Sequence, residues 1–167
     1  MGAGILLFFS RSKSSIKTPS LVIFAFAWRS AEQETAIAIG HLGGVGVLNL
    51  EGLWTRHENP RIALGEISSL PQEQAIRRMQ ALYAAPIQPE LIKSRIAEIR
   101  AAGVTVAGAL SPQRSAEFSE TVIKAGVDIF VIRGTTVSAE HVSKSREELN
   151  LKKFIYELDV PVIVGGA

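Results

Sequence analysis

Short apolar runs alternate along this chain with stretches in which apolar residues recur every three or four positions. The run 45–48, Val45-Gly46-Val47-Leu48, has no polar member and follows a double glycine. Such a run predicts a strand buried on both faces, the usual state of a parallel sheet. Gly43 and Gly44 suit the left-handed turn that ends the preceding helix, predicted over 30–42 from Ala31, Thr35, Ala38 and Leu42 on one side. Asn49 and Glu51 fall at the strand's C-terminal end, where parallel α/β folds place their chemistry. Residues 51–70 read as irregular, with Trp54, His57 and Pro60 in a loop of the kind that covers a barrel mouth. A helix is predicted over 72–84, with Ile76, Met79 and Tyr83 as core contacts and Arg77 and Arg78 on the solvent face.

The same unit then repeats. Pro89 opens a helix whose apolar stripe includes Leu91, Ile92, Ile96 and Ile99, and Ala102-Gly103 stops it before a strand over 104–110. Ser111-Pro112 reads as an N-cap and first helical residue, Phe118, Val122 and Ile123 join the apolar face, and Ala125-Gly126 stops that helix before a strand over 127–132. A last copy places Leu151, Phe154, Ile155 and Leu158 on a helix before the strand 160–164. Alternating helices and strands of this kind mean right-handed units on a parallel sheet. Four strands are clear, and 21–27 offers a fifth. Five strands fit an open doubly wound sheet, but the chain stops on an apolar strand with no helix to cover it. A closed barrel takes eight strands and about 250 residues. The expected fold is therefore α/β, a partial TIM (β/α)8 barrel holding about strands two to five.

Composition narrows the function. At 167 residues, 47% hydrophobic and 20% charged, the chain can bury one real core. It has no cysteine, which removes disulfides, thiolate metal sites and a thiol nucleophile. A net charge of +2 does not argue for nucleic acid, and no apolar run reaches the roughly 18 residues that span a bilayer. His57 has no second ligand at metal spacing, so no metal site is expected. Residues 1–30 stand apart as an atypical leader or frame-disrupted segment, free of acid and rich in serine; residues 31–167 read as the N-terminal half of a barrel domain.

The run Thr35-Ala36-Ile37-Ala38-Ile39-Gly40-His41-Leu42-Gly43-Gly44-Val45-Gly46-Val47-Leu48-Asn49-Leu50-Glu51-Gly52-Leu53 resembles the IMP dehydrogenase/GMP reductase family. Leu82 to Ile87 and Gly134 to His141 are similar to its IMP dehydrogenase-related paralogue subgroup. The resemblance covers about 31–167 and implies a TIM barrel. It also implies a cytoplasmic homo-oligomer, a tetramer in the family, that binds a purine nucleotide (IMP, XMP or GMP) and moves a hydride at purine C2 with NAD or NADP. In the family a loop cysteine attacks the purine. This chain has none, so no catalytic residue is assigned and the chain itself is expected to be inactive.

What the resemblance leaves is the cofactor side of the mouth. Asn49 stands where relatives often have a cofactor-side His, Ser111 lies in the loop after the next strand, and Arg133-Gly134-Thr135 stands where dehydrogenases have an Asp that holds the nicotinamide ribose. Arg133 is a departure, because a guanidinium cannot accept a hydroxyl hydrogen bond. Two other readings compete: a flavin-dependent barrel of nitronate monooxygenase type, and a non-catalytic half-barrel that assembles with a partner or with itself.

Overall fold

The computed structural model describes residues 24–25, 32–133, 140–141, 149–150, 154–156 and 158–165. Its elements in order are β1 (Phe24–Ala25), α1 (Gln33–His41), β2 (Val45–Asn49), a 3-10 turn (Leu53–Thr55), α2 (Pro60–Ser68), α3 (Gln72–Ala84), α4 (Pro89–Ala101), β3 (Ala107–Leu110), α5 (Pro112–Lys124), β4 (Ile129–Arg133), β5 (Glu140–His141), β6 (Leu149–Asn150) and β7 (Val162–Gly165). Residues 154–156 form a helical turn before β7.

Five strands make one parallel sheet in the order β1-β2-β3-β4-β7, and β5 and β6 pair antiparallel by themselves. Each strand of the large sheet lies beside the one that precedes it. A doubly wound sheet reverses its order partway and carries helices on both faces. Here the two faces are unlike. One carries Leu48, Leu110, Phe130, Ile132, Val162 and Val164, packed with Ala36 of α1, Ile92, Ile96 and Ile99 of α4, and Phe118 and Val122 of α5. The other carries Val45, Val47, Ala107, Ala109, Ile129, Val131 and Ile163, a cluster of strand residues alone. Strand side chains alternate between faces with period two, so helices on one side and layered strand residues on the other are the arrangement of a barrel wall.

The helix stops are physical. Gly43, Gly103 and Gly126 have φ of 84°, 73° and 91°, the left-handed conformation that leaves a helix without a Cβ penalty. They follow the C-cap residues Leu42, Ala102 and Ala125, so α1, α4 and α5 are ended in the same way before β2, β3 and β4. Gly46 has a different task. A Cβ there would lie 2.5 Å from Ala36 Cα, so its absence lets α1 seat directly on β2.

The structure corrects several expectations from the sequence. Residues 60–68, read as loop, form α2; Pro60 occupies the first helical position, where its missing N–H is no loss. Ile76 and Tyr83 of α3 are not core contacts: they are 50% and 41% exposed, and the helix buries Leu82 instead. Trp54, read as part of that loop, lies in the 3-10 turn and is buried, with the Arg61 guanidinium 5.5 Å from its ring. The strand that 21–27 offered is present at Phe24 and Ala25, which pair with Val45 and Gly46 as the first strand of the sheet. Near the end of the chain Phe154, Ile155 and Leu158 pack on the core as expected, Phe154 meeting Phe130 edge-on at 6.0 Å; Leu151 lies outside the described residues.

Candidate functional site

Register decides which side chains meet at the C-terminal ends of the strands. Asn49 pairs with Ala109, Ala109 with Val131 and Val131 with Ile163, so these four stand at one level. Asn49 has the parity of Val45 and Val47, and Arg133 that of Ile129 and Val131, which places both on the face away from the helices. Arg133 lies two residues beyond Val131 and pairs with Gly165. From there Arg133 Nη2 donates to Asn49 Oδ1 at 3.3 Å, crossing the end of β3 above the short Ala109 side chain.

Asn49 Oδ1 also accepts the Glu51 backbone N–H at 3.1 Å. Two donors on one oxygen fix which way the amide faces. Glu51 is the hub of this rim. Its carboxylate accepts the Ser111 backbone N–H, and its carbonyl accepts Arg56 Nε at 3.2 Å. Ser111 caps α5 as its sequence predicts: the hydroxyl oxygen accepts the Arg114 N–H at 3.4 Å. Arg56 also donates to the Ala85 carbonyl and lies 5.8 Å from the Tyr83 ring centroid. Burial pushes its pKa down, and the like charge of Arg114 pushes the same way. The rim is thus cationic, with Glu51 holding its parts in register. His57, by contrast, is a structural residue, its Nε2 2.9 Å from the Leu82 carbonyl.

Of the five residues assigned from the sequence, Asn49 and Arg133 are in contact, and Ser111 joins them through Glu51; Gly134 and Thr135 lie outside the described residues. Sequence reasoning misses the roles of Glu51 and Arg56. Glu51 has a signal, its place just past a strand end, but Arg56 has none. Among the described residues no group of His, Cys, Asp or Glu is arranged to hold a metal, and no helix is long and apolar enough to cross a membrane.

A dinucleotide fits this donor set in part. The Asn49, Ser111 and Arg133 side chains offer hydrogen-bond donors to acceptor-rich groups, while position 133 lacks the carboxylate that grips a ribose diol.

The ordered parallel strands and the one-sided helices define a partial TIM barrel, with a polar rim at the strand ends. The comparisons then specify which. A crystal structure of an IMP dehydrogenase/GMP reductase-like protein from Corynebacterium glutamicum matches with a TM-score of 0.74 and 46% identity, over 83% of this chain and 37% of that one. Curated relatives named as uncharacterized oxidoreductases are 46% identical in Mycolicibacterium smegmatis and Mycobacterium tuberculosis and 44% in Mycobacterium leprae, each over 80% of this chain. No protein-family model matches. The chain is IMP dehydrogenase/GMP reductase-like, and it spans 37% of the length of these relatives.

Proposed function

We propose that this chain supplies the cofactor-side rim of a purine-nucleotide oxidoreductase. The complete enzyme interconverts IMP with XMP or GMP, with NAD or NADP accepting or donating the hydride at purine C2. It works in the cytoplasm as a homo-oligomer, a tetramer on the family pattern. Asn49, Ser111, Arg133, Gly134 and Thr135 bind the cofactor in this reading. The observation that carries it is the convergence of Asn49, Ser111 and Arg133 on the ends of three adjacent strands, tied together by Glu51. The relatives' names support an oxidoreductase. What the chain's own residues do is bind and orient: Glu51 holds the Asn49 amide and the Ser111 turn, and Arg133 covers the strand ends.

The test is a fluorescence titration of the purified chain with NADH and NADPH. Saturable binding is expected, weakened about tenfold in Asn49→Ala, the loss of one or two good hydrogen bonds. Failure of both dinucleotides to bind overturns the reading.

A further inference from the structure

Almost every cation among the described residues already has a partner. Arg61, Arg77, Arg78, Lys93, Arg95, Arg100, Arg114 and Lys124 each pair with a carboxylate. Arg56 spends its fork on the carbonyls of Glu51 and Ala85 and stacks on Tyr83. Arg133 differs from all of them. Its single partner among the described residues is a neutral amide oxygen, Asn49 Oδ1, and it is only partly exposed. A guanidinium presents five N–H donors in a planar fork that matches an oxyanion. Half-buried, and with no ion pair among the described residues, it has donors to spare for an acceptor-rich group.

Its neighbours among the described residues provide one acceptor. Asn49 Oδ1 is held by two donors, Glu51 N–H and Arg133 itself. One oxygen of the Glu51 carboxylate accepts the Ser111 N–H, and the Ser111 oxygen accepts from Arg114. Arg56 and Arg114, the other cations on the rim, feel one another's charge. Among the described residues, the hydrogen bond that Arg133 makes toward β2 and β3 goes to one acceptor, the Asn49 amide oxygen.

We propose that the Arg133–Asn49 pair is a phosphate-binding corner, taking a phosphate group of the ligand that lies across the strand ends. The proposal rests on the reading that these strand ends form the cofactor rim, and it specifies which part of the cofactor they take. A ribose diol gains a carboxylate partner in other dehydrogenases; here the same position offers a fork that only an acceptor can fill.

Inorganic pyrophosphate is the probe. Calorimetric titration of the whole 167-residue chain is expected to show saturable binding that weakens as salt is raised. Affinity is expected to fall at least tenfold in Arg133→Gln and less in Arg133→Lys, which keeps the charge but not the fork. Arg78→Gln, which removes an exposed cation already paired with Glu66, is expected to change nothing. Circular dichroism checks that each variant is folded, and Arg133→Lys carries the test if Arg133→Gln is not. Equal pyrophosphate binding by wild type and the Arg133 variants, or none by the wild type, overturns the corner. NADH titrations separate the two readings. Pyrophosphate lost in the Arg133 variants, with no NADH binding to any chain, supports the corner and removes the dinucleotide. NADH bound equally by wild type and both Arg133 variants keeps the dinucleotide and removes the corner.

Discussion

The carboxylate of Glu51, just past β2, accepts the backbone N–H of Ser111, the cap of α5, across 60 residues of sequence. One side chain thereby locks the turns that follow two neighbouring strands. At the start of α5, Ser111 N–H is satisfied by Glu51, Arg114 N–H by the Ser111 hydroxyl, and Pro112 has none to satisfy.

Replacing Glu51 with Ala removes that acceptor and is expected to cost about 1–2 kcal/mol, the usual penalty for stranding a partly buried donor. Glu51→Gln keeps a side-chain oxygen in place and is expected to lose less than half of this. The midpoints of urea unfolding for the two variants check the order; equal losses would show that the contact contributes by packing alone.

Gly46→Ala drives a methyl into the α1 backbone at Ala36. Backbone cannot swing aside as a flexible side chain can, so the expected loss is about 1–3 kcal/mol, as for overpacked cores. A thermal melt reads it directly. A neutral result would mean that α1 sits farther from β2.

Ile96 and Ile76 make a matched pair for the helix faces. Ile96→Ala opens a cavity among fully buried side chains and is expected to cost about 2–5 kcal/mol. Ile76→Ala acts on a half-exposed residue and is expected to stay within about 0.5 kcal/mol. Comparable losses at the two sites would restore Ile76 to the core and overturn the orientation of α3.

Glu120 gives the pH prediction. Lys124 donates to it at 2.5 Å, and that hydrogen bond, aided by the lysine charge, lowers the carboxylate pKa. A depressed folded-state pKa makes a contribution that is present above the unfolded value and lost as pH falls through the folded one. NMR titration of the Glu120 side chain is expected to give a pKa below the ordinary glutamate value, returning toward it in Lys124→Met. The pair is fully exposed, so the global unfolding midpoint should barely respond.

With no cysteine in the chain, the purified protein is expected to leave IMP and NAD unchanged in a spectrophotometric assay at 340 nm. NADH formation that scales with protein through successive purification steps would break the link between turnover and a thiol nucleophile.

The repeating architecture is legible because it is written locally. A glycine in the left-handed conformation, an apolar run and a polar turn recur before β2, β3 and β4, and each can be read within a dozen residues. α2 is hidden by Gly65 at its centre and by Ser68-Ser69 at its end, residues that weaken a helix pattern without abolishing the helix. The face of α3 misleads for another reason. Periodicity shows that Ile76, Met79 and Tyr83 share a side but not whether anything lies against that side. The site divides in the same way. Asn49, Ser111 and Arg133 can be placed from their positions at strand ends, whereas the bonds that unite them span 60 and 84 residues and follow from register.

The consecutive order of the large sheet bears on how the chain comes to be folded. Each strand of β1-β2-β3-β4-β7 has as its neighbour the sheet strand synthesised just before it. No strand must wait for a later one to be inserted between it and its partner, so the sheet can grow by addition at a single edge as the polypeptide leaves the ribosome. Pairing then closes one connection at a time, which limits the entropy lost at each step. Pulsed hydrogen exchange on stalled nascent chains of increasing length is expected to show protection spreading from β2 toward β7, and protection that starts at β7 would reverse that order.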